Sequence, residues 1–151
     1  MELSENTLSI LKNYAGINSN IVFNEGNSIQ TISEAKNVLS AASTVEDFPQ
    51  DFGIYDLNEF LNVLGLVDVP NLSFEKDYVL ISDSSGRSKV KYFFSDPDML
   101  TSPSKKIVMP KCEVQFNLDA NTLSRIKRAA AALGHDEVSI TPGDGVLTLS
   151  V

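Results

Sequence analysis

Two stretches of this chain are close copies of each other. Leu3 to Lys12 reads Leu-Ser-Glu-Asn-Thr-Leu-Ser-Ile-Leu-Lys, and Leu118 to Lys127 reads Leu-Asp-Ala-Asn-Thr-Leu-Ser-Arg-Ile-Lys. Six of the ten positions are identical, and the copies lie 115 residues apart. In each, a capping residue, an apolar stripe and a lysine occupy the same places. A repeat at that distance points to a duplicated domain, not to a short-period solenoid. It also limits the architecture. Of 151 residues, a first copy of about 115 leaves 36 for a second. The expectation is a chain that stops inside its second domain. A single domain extended by a helix and a hairpin stays open as the alternative.

The second copy opens the best-defined helix, Asp119 to Leu133. Asp119 is the N-cap, four consecutive alanines supply helix propensity, and Gly134 is the stop. Leu123, Ile126, Ala130 and Leu133 form its apolar side. Asn121, Ser124, Arg125 and Arg128 lie opposite, with Lys127 on the flank. Three basic residues on one helix stand out in a chain of net charge -8. The first copy predicts a helix over Ser4 to Ala15, with Leu8, Leu11 and Ala15 inward and Glu5, Ser9, Lys12 and Asn13 outside. Asp56 opens a further helix, Leu57 to Leu66. Leu57, Phe60, Leu61 and Leu64 form its inner side, and Asn58, Glu59 and Asn62 its outer side.

Strand-like runs fill the intervals: Ser19 to Phe23, Ser28 to Ile32, Val38 to Thr44, Phe52 to Tyr55, Leu72 to Glu75, Tyr78 to Ser82 and Lys89 to Phe94. Ser95 to Lys111 carries Pro97, Pro103 and Pro110 and reads as a connector. Beyond it, Glu113 to Leu118 is a further strand. Glu137 to Thr141 and Val146 to Val151 form a hairpin turning at Pro142-Gly143-Asp144-Gly145. Isolated capped helices among antiparallel strands point to an α+β fold with the helices gathered on one side of the sheets.

Catalytic chemistry finds little support. His135 is the only histidine, so a multi-histidine metal site is excluded. No phosphate loop and no nucleophile elbow occurs. Cys112 is alone, which rules out an internal disulfide and fits a reducing compartment. Glu46, Asp47, Asp51 and Asp56 are the best acidic cluster and the only opening for a Mg²⁺ enzyme. Asp56 is better read as a helix cap. The acidic balance argues against a protein that wraps DNA with its whole surface, but permits one that confines positive charge to a single face. Arg and Lys on an exposed helix can contact phosphates without reading sequence.

The residues also carry a family likeness. Met1 to Asn18, Ile54-Tyr55-Asp56-Leu57-Asn58 running through Phe60-Leu61 to Leu64-Gly65-Leu66-Val67, and Ser95-Asp96-Pro97 with the later proline-lysine segment resemble the sliding clamps of T-even-type bacteriophages, the DNA polymerase processivity factors. The resemblance covers nearly the whole chain. It implies a DNA clamp fold with antiparallel sheets and helices on one face, arranged as one complete domain plus the start of a second. The first clamp domain would span 1–94, the connector 95–111, and the opening part of the second domain 112–151. Members of the family continue well past Val151.

By the same resemblance the function is a ring that encircles duplex DNA and tethers the replicative polymerase, without catalysis and without cofactors. A clamp loader places the ring on DNA, late-transcription factors are further partners, the assembly is a homotrimer, and the location is the cytoplasm of an infected bacterium. Lys12, Asn13, Asn58, Asn62, Arg125, Lys127 and Arg128 would face the DNA. Lys89, Val90, Lys91, Tyr92, Phe93 and Phe94 would form a subunit contact. The competing reading is a protein-interaction adaptor of the same fold that does not encircle DNA.

Overall fold

The computed structural model describes residues 1–104, 108, 111–143 and 145–151. The chain forms two compact units, Met1–Lys106 and Ile107–Val151.

The first unit is built from two halves of the same plan. The opening half runs from Glu2 through α1 (Glu5–Ala15) to β1 (Ile21–Phe23), β2 (Gly26–Ile32) and β3 (Leu39–Phe48). The closing half runs from β4 (Phe52–Ile54) through α2 (Leu57–Leu64) to β5 (Asn71–Phe74), β6 (Tyr78–Ser82) and β7 (Lys89–Phe93). Each half lends its opening residues to the other's sheet. β4 pairs antiparallel with β1 and completes the order β3-β2-β1-β4. Glu2 bridges Asn71 beside the order β5-β6-β7. The N-terminal amine fastens this exchange by donating to the Leu72 carbonyl at 2.7 Å and to Asn71 Oδ1 at 2.9 Å.

Alternation puts the core between the sheets and the helices. Ile21, Phe23, Ile29, Ile54, Leu72, Val79 and Ile81 are almost wholly buried, as are Leu11, Leu57 and Phe60 from the helices. Phenyl rings close the seam between the two sheets. Phe23 stacks on Phe52 at 4.5 Å, and Phe52 stacks on Phe94 at 4.7 Å. Phe48 and Phe74 pack around them. Such ring pairs add about 0.5–1.5 kcal/mol each beyond area burial.

Several sequence expectations shift in detail. The inner stripe of α1 is Thr7, Leu11 and Tyr14, whereas Leu8 and Ala15 are only half-buried. α2 ends at Leu64, where Gly65 caps it, and Leu66 is exposed. β3 is longer than Val38 to Thr44, because Ser40 to Ser43 pair along β2 and Phe48 returns to pair with Gly26 past a bulge. The opening of the proline-rich stretch is anchored to this unit. Ser95 bridges Gly53, and the buried Asn18 side chain donates to the carbonyls of Ile32 and Thr101. Gly53 is required there, since a Cβ would meet the Ser95 carbonyl oxygen at 2.6 Å. Pro97–Met99 follows as a 3-10 turn. Residues 105–107, 109 and 110 of the expected connector, and Asp144 of the expected hairpin turn, lie outside the described residues.

The second unit holds α3 (Ala120–Leu133) and a hairpin of β8 (Ser139–Gly143) and β9 (Val146–Ser150). Gly134 ends α3 in the left-handed region at φ 68°, and the His135 N–H returns to the Ala130 carbonyl at 2.9 Å. His135 is thus a helix terminator by its backbone. One expectation fails: Glu113 to Leu118 is not a strand. A strand needs a ladder partner, and among the described residues β8 and β9 pair only with each other. Val114, Phe116 and Leu118 keep the alternation of a strand but stand exposed.

Candidate nucleic-acid interface

The repeated decapeptide folds into the same capped helix twice. In α1 the Ser4 hydroxyl accepts from the Thr7 N–H at 3.2 Å; in α3 the Asp119 carboxylate accepts from the Thr122 N–H at 2.9 Å. Hydrogen bonds from the Thr122 side chain and N–H hold the Asp119 carboxyl below the usual carboxylate range. Both helices turn the same positions inward. Thr7, Leu11 and Tyr14 are buried in α1, and their counterparts Thr122, Ile126 and Ala129 are among the four half-buried residues of α3. Leu147 and Leu149 of β9 are half-buried as well, and Leu149 borders the same open groove as Thr122, Ile126 and Ala129. The level of burial differs because α2 and β3 pack on α1, while the second unit offers one hairpin among its described residues.

Equivalence fixes the outer face. Lys12 and Asn13 are exposed on α1, and Lys127 and Arg128 occupy the same places, also exposed, on α3. Arg125 is different. Its counterpart is the half-buried Ile10, yet Arg125 is itself exposed, and like Arg128 it borders the groove with Leu149. The sequence placed Arg125 and Arg128 opposite the apolar side and Lys127 on the flank; all three are exposed. On α2, Asn58 and Asn62 are exposed one turn apart, with Glu59 beside them.

The charge on these faces is uneven. The exposed side of α1 and α2 offers Lys12 against Glu5 and Glu59, while α3 offers Arg125, Lys127 and Arg128 with Asp119 confined to its cap. Both caps leave little room for an anion at the helix ends. Glu46, from β3, receives hydrogen bonds from the Ser4 N–H and from Thr7 Oγ1, the latter at 2.5 Å. A carboxylate therefore already occupies the N-terminus of α1, as Asp119 does for α3. Contact with a polyanion is left to side chains along the helices.

The acidic cluster resolves into structural roles. Glu46 caps α1, Asp51 accepts from the Glu25 N–H at 2.7 Å, and Asp56 caps α2 by accepting from the Glu59 N–H at 2.9 Å. Among the described residues no group of three metal-ligating side chains converges. The Glu46 contact escaped sequence reasoning because position N3 of α1 is Thr7, where a local capping box would have glutamate.

In the strand expected to contact another subunit, only Lys89, Lys91 and Phe93 turn outward. Val90 and Tyr92 pack on the core, and Phe94 stacks on Phe52. The Tyr92 hydroxyl donates to the Asp56 carbonyl at 3.2 Å. Burial first, then the charges of Glu59 and Asp56, push that hydroxyl up to about 12. β7 is an edge strand, paired only with β6 among the described residues.

Comparison with known proteins adds an independent line. The profile of a family described as DNA polymerase processivity factor matches residues 4–109. The sliding clamp of Vibrio phage KVP40 is 31% identical over 155 residues, covering 99% of this chain and 70% of that protein. The sliding clamps of Escherichia phage RB69 and Enterobacteria phage T4 are 33% and 32% identical over 152 residues, again covering 99% of this chain and 66% of each relative. The chain therefore spans about two thirds of the length of these relatives.

Proposed function

Because this chain belongs to the phage sliding-clamp family of DNA polymerase processivity factors, whose members are not catalysts, we propose that it works as a topological tether, part of a ring that encloses duplex DNA and holds the replicative polymerase to it. Residues 1–94 are the first clamp domain, 95–111 the connector and 112–151 the opening of a second, similar domain. The ring is a homotrimer in the cytoplasm of an infected bacterium. A clamp loader places it on DNA, and late-transcription factors use it as a second class of client. No helix in the described residues is long and apolar enough to cross a membrane.

The observation that carries this reading is the repeated helix with its cation at one position, Lys12 on α1 and Lys127 on α3, exposed in both copies. Lys12, Arg125, Lys127 and Arg128 face the duplex, with Asn13, Asn58 and Asn62 as neutral neighbours. Side chains that touch phosphate alone have no preferred register, so translation along the duplex meets only shallow barriers. The filled helix N-termini support this, since neither leaves a pre-formed phosphate trap. The free edge of β7, Lys89 to Phe93 with Phe94 following, is the subunit contact of the first domain, made through main-chain pairing.

Charge reversal tests the reading. Lys127→Glu with Arg128→Glu is expected to lower the salt slope of DNA retention by about 2 and to shorten the products of the loaded polymerase. Unchanged product length on a primed template would remove these residues from the DNA-facing side. Salt-independent support of the polymerase would favour the adaptor that does not enclose DNA.

A further inference from the structure

Positive charge is concentrated at a second place, away from the helices. Residues 1–104 contain six basic and fifteen acidic residues. Three of the six, Arg87, Lys89 and Lys91, fall within five positions on β7 and its lead-in turn. The turn is held by Asp83, whose carboxylate accepts from the Arg87 N–H and the Ser85 hydroxyl, each at 3.0 Å.

The pleat decides where the side chains point. Val90 and Tyr92 go inward, so Lys89, Lys91 and Phe93 go outward. Opposite them on β6 stand Ser82, Leu80 and Tyr78. Lys91 Nζ lies 4.7 Å from the centre of the Tyr78 ring, which is 5.7 Å from the Phe93 ring. Phe93 is 67% exposed. The outcome is a ledge with an aromatic foot and two lysines about 6.8 Å apart along the strand, one of them held in place by a cation–π contact.

We propose that this outer face docks an extended acidic segment of a partner protein, with alternate carboxylates over Lys89 and Lys91 and an apolar side chain on Phe93 and Tyr78. A partner in extended conformation repeats its side chains on one face at the same spacing of about 6.8 Å, so two carboxylates reach two lysines without bending. Duplex DNA is the other polyanion to weigh, and the surroundings disfavour it. Charges are screened beyond about 8 Å at physiological salt. A short segment meets the lysines alone, whereas a duplex extends over the neighbouring turns and meets Glu75, Asp77 and Asp83, all at or near the surface. An exposed phenyl ring adds nothing to a phosphate backbone but anchors protein contacts well. The proposal stands apart from the ring reading, because it uses the face of the sheet and leaves the helices and the edge of β7 free.

The test uses the full chain and a fluorescein-labelled peptide about twelve residues long, whose alternate positions repeat glutamate, glutamate, leucine with serine between them. Fluorescence anisotropy at low and physiological salt should show saturable binding. Lys89→Glu with Lys91→Glu is expected to weaken it at least about tenfold, and Phe93→Ala about fivefold. Lys36→Glu, a reversal in a different turn, should leave it unchanged. Lys89→Gln with Lys91→Gln repeats the loss without introducing repulsion, should the reversed pair fold poorly. Absence of saturable binding, equal binding by the Gln pair and the parent, or a duplex oligonucleotide that takes these residues in preference to the peptide would each overturn the proposal.

Discussion

Glu46, 42 residues from Ser4 in the chain, supplies the acceptor for the Ser4 N–H that no glutamate within α1 is placed to provide. Burial acts to raise its carboxyl, but the hydrogen bonds from the Thr7 hydroxyl and the Ser4 N–H outweigh that and hold it below its ordinary value of 4.5. A carboxylate depressed on folding stabilises the native state fully above its ordinary pKa, and that contribution is lost as pH falls through the folded-state value. Glu46→Gln is therefore expected to cost about 1–2 kcal/mol at neutral pH. The variant should also lose less of its remaining stability than the parent on going into acid. Denaturant melts at neutral and acidic pH check both, and a variant as acid-sensitive as the parent would make the carboxylate a bystander. Thr7 could be foreseen as part of the capped repeat. Its 0% exposure and its bond to Glu46 could not, because they depend on where β3 passes.

Helices α1 and α3 are the same element in two settings. Their caps, stripes and lysines match, yet Leu11 is fully buried and its counterpart Ile126 only half so. The energetic weight of the stripe follows the cover, not the sequence. Leu11→Ala should destabilise the first unit by about 2–5 kcal/mol, and Ile126→Ala should cost roughly 1 kcal/mol in this chain. Amide exchange read separately on the two helices is the suitable measurement, since two units need not unfold together. Equal losses at the two sites would mean that α3 is covered as fully as α1. The same principle explains Glu113 to Leu118. Its alternation is a strand pattern, but alternation supplies only the side-chain half of a strand, and the ladder must come from a neighbour.

For the whole molecule, charge distribution matters more than net charge. The chain carries 12 basic and 20 acidic residues, and its cations gather on α3 and along β7. If Lys12, Arg125, Lys127 and Arg128 are the phosphate contacts, the slope of log affinity against log salt for one chain should be about −3.6. It should be the same for duplexes of unrelated sequence. Titrations of labelled duplexes over a range of salt concentrations measure this. A slope near zero, or a preference among sequences, would remove the non-specific tether. Several chains presenting these contacts together would raise retention without any new contact.

Local signals by themselves determined the three helices, their caps and most strands, because capping, periodicity and turn chemistry act within a few residues of the chain. The repeat likewise announced two related helices before any fold was known. Tertiary structure alone decided how deeply matched positions are buried, since Leu11 and Ile126 hold the same place in the repeat and differ only by what covers them. It also decided that Glu46, from β3, closes the N-terminus of α1 and that Asp51 ties down the Glu25 N–H. The exchange of opening segments between the two halves of the first unit has no local signal either. Strand partners are chosen across the chain by burial and free backbone groups, and those exist only once the layers have met.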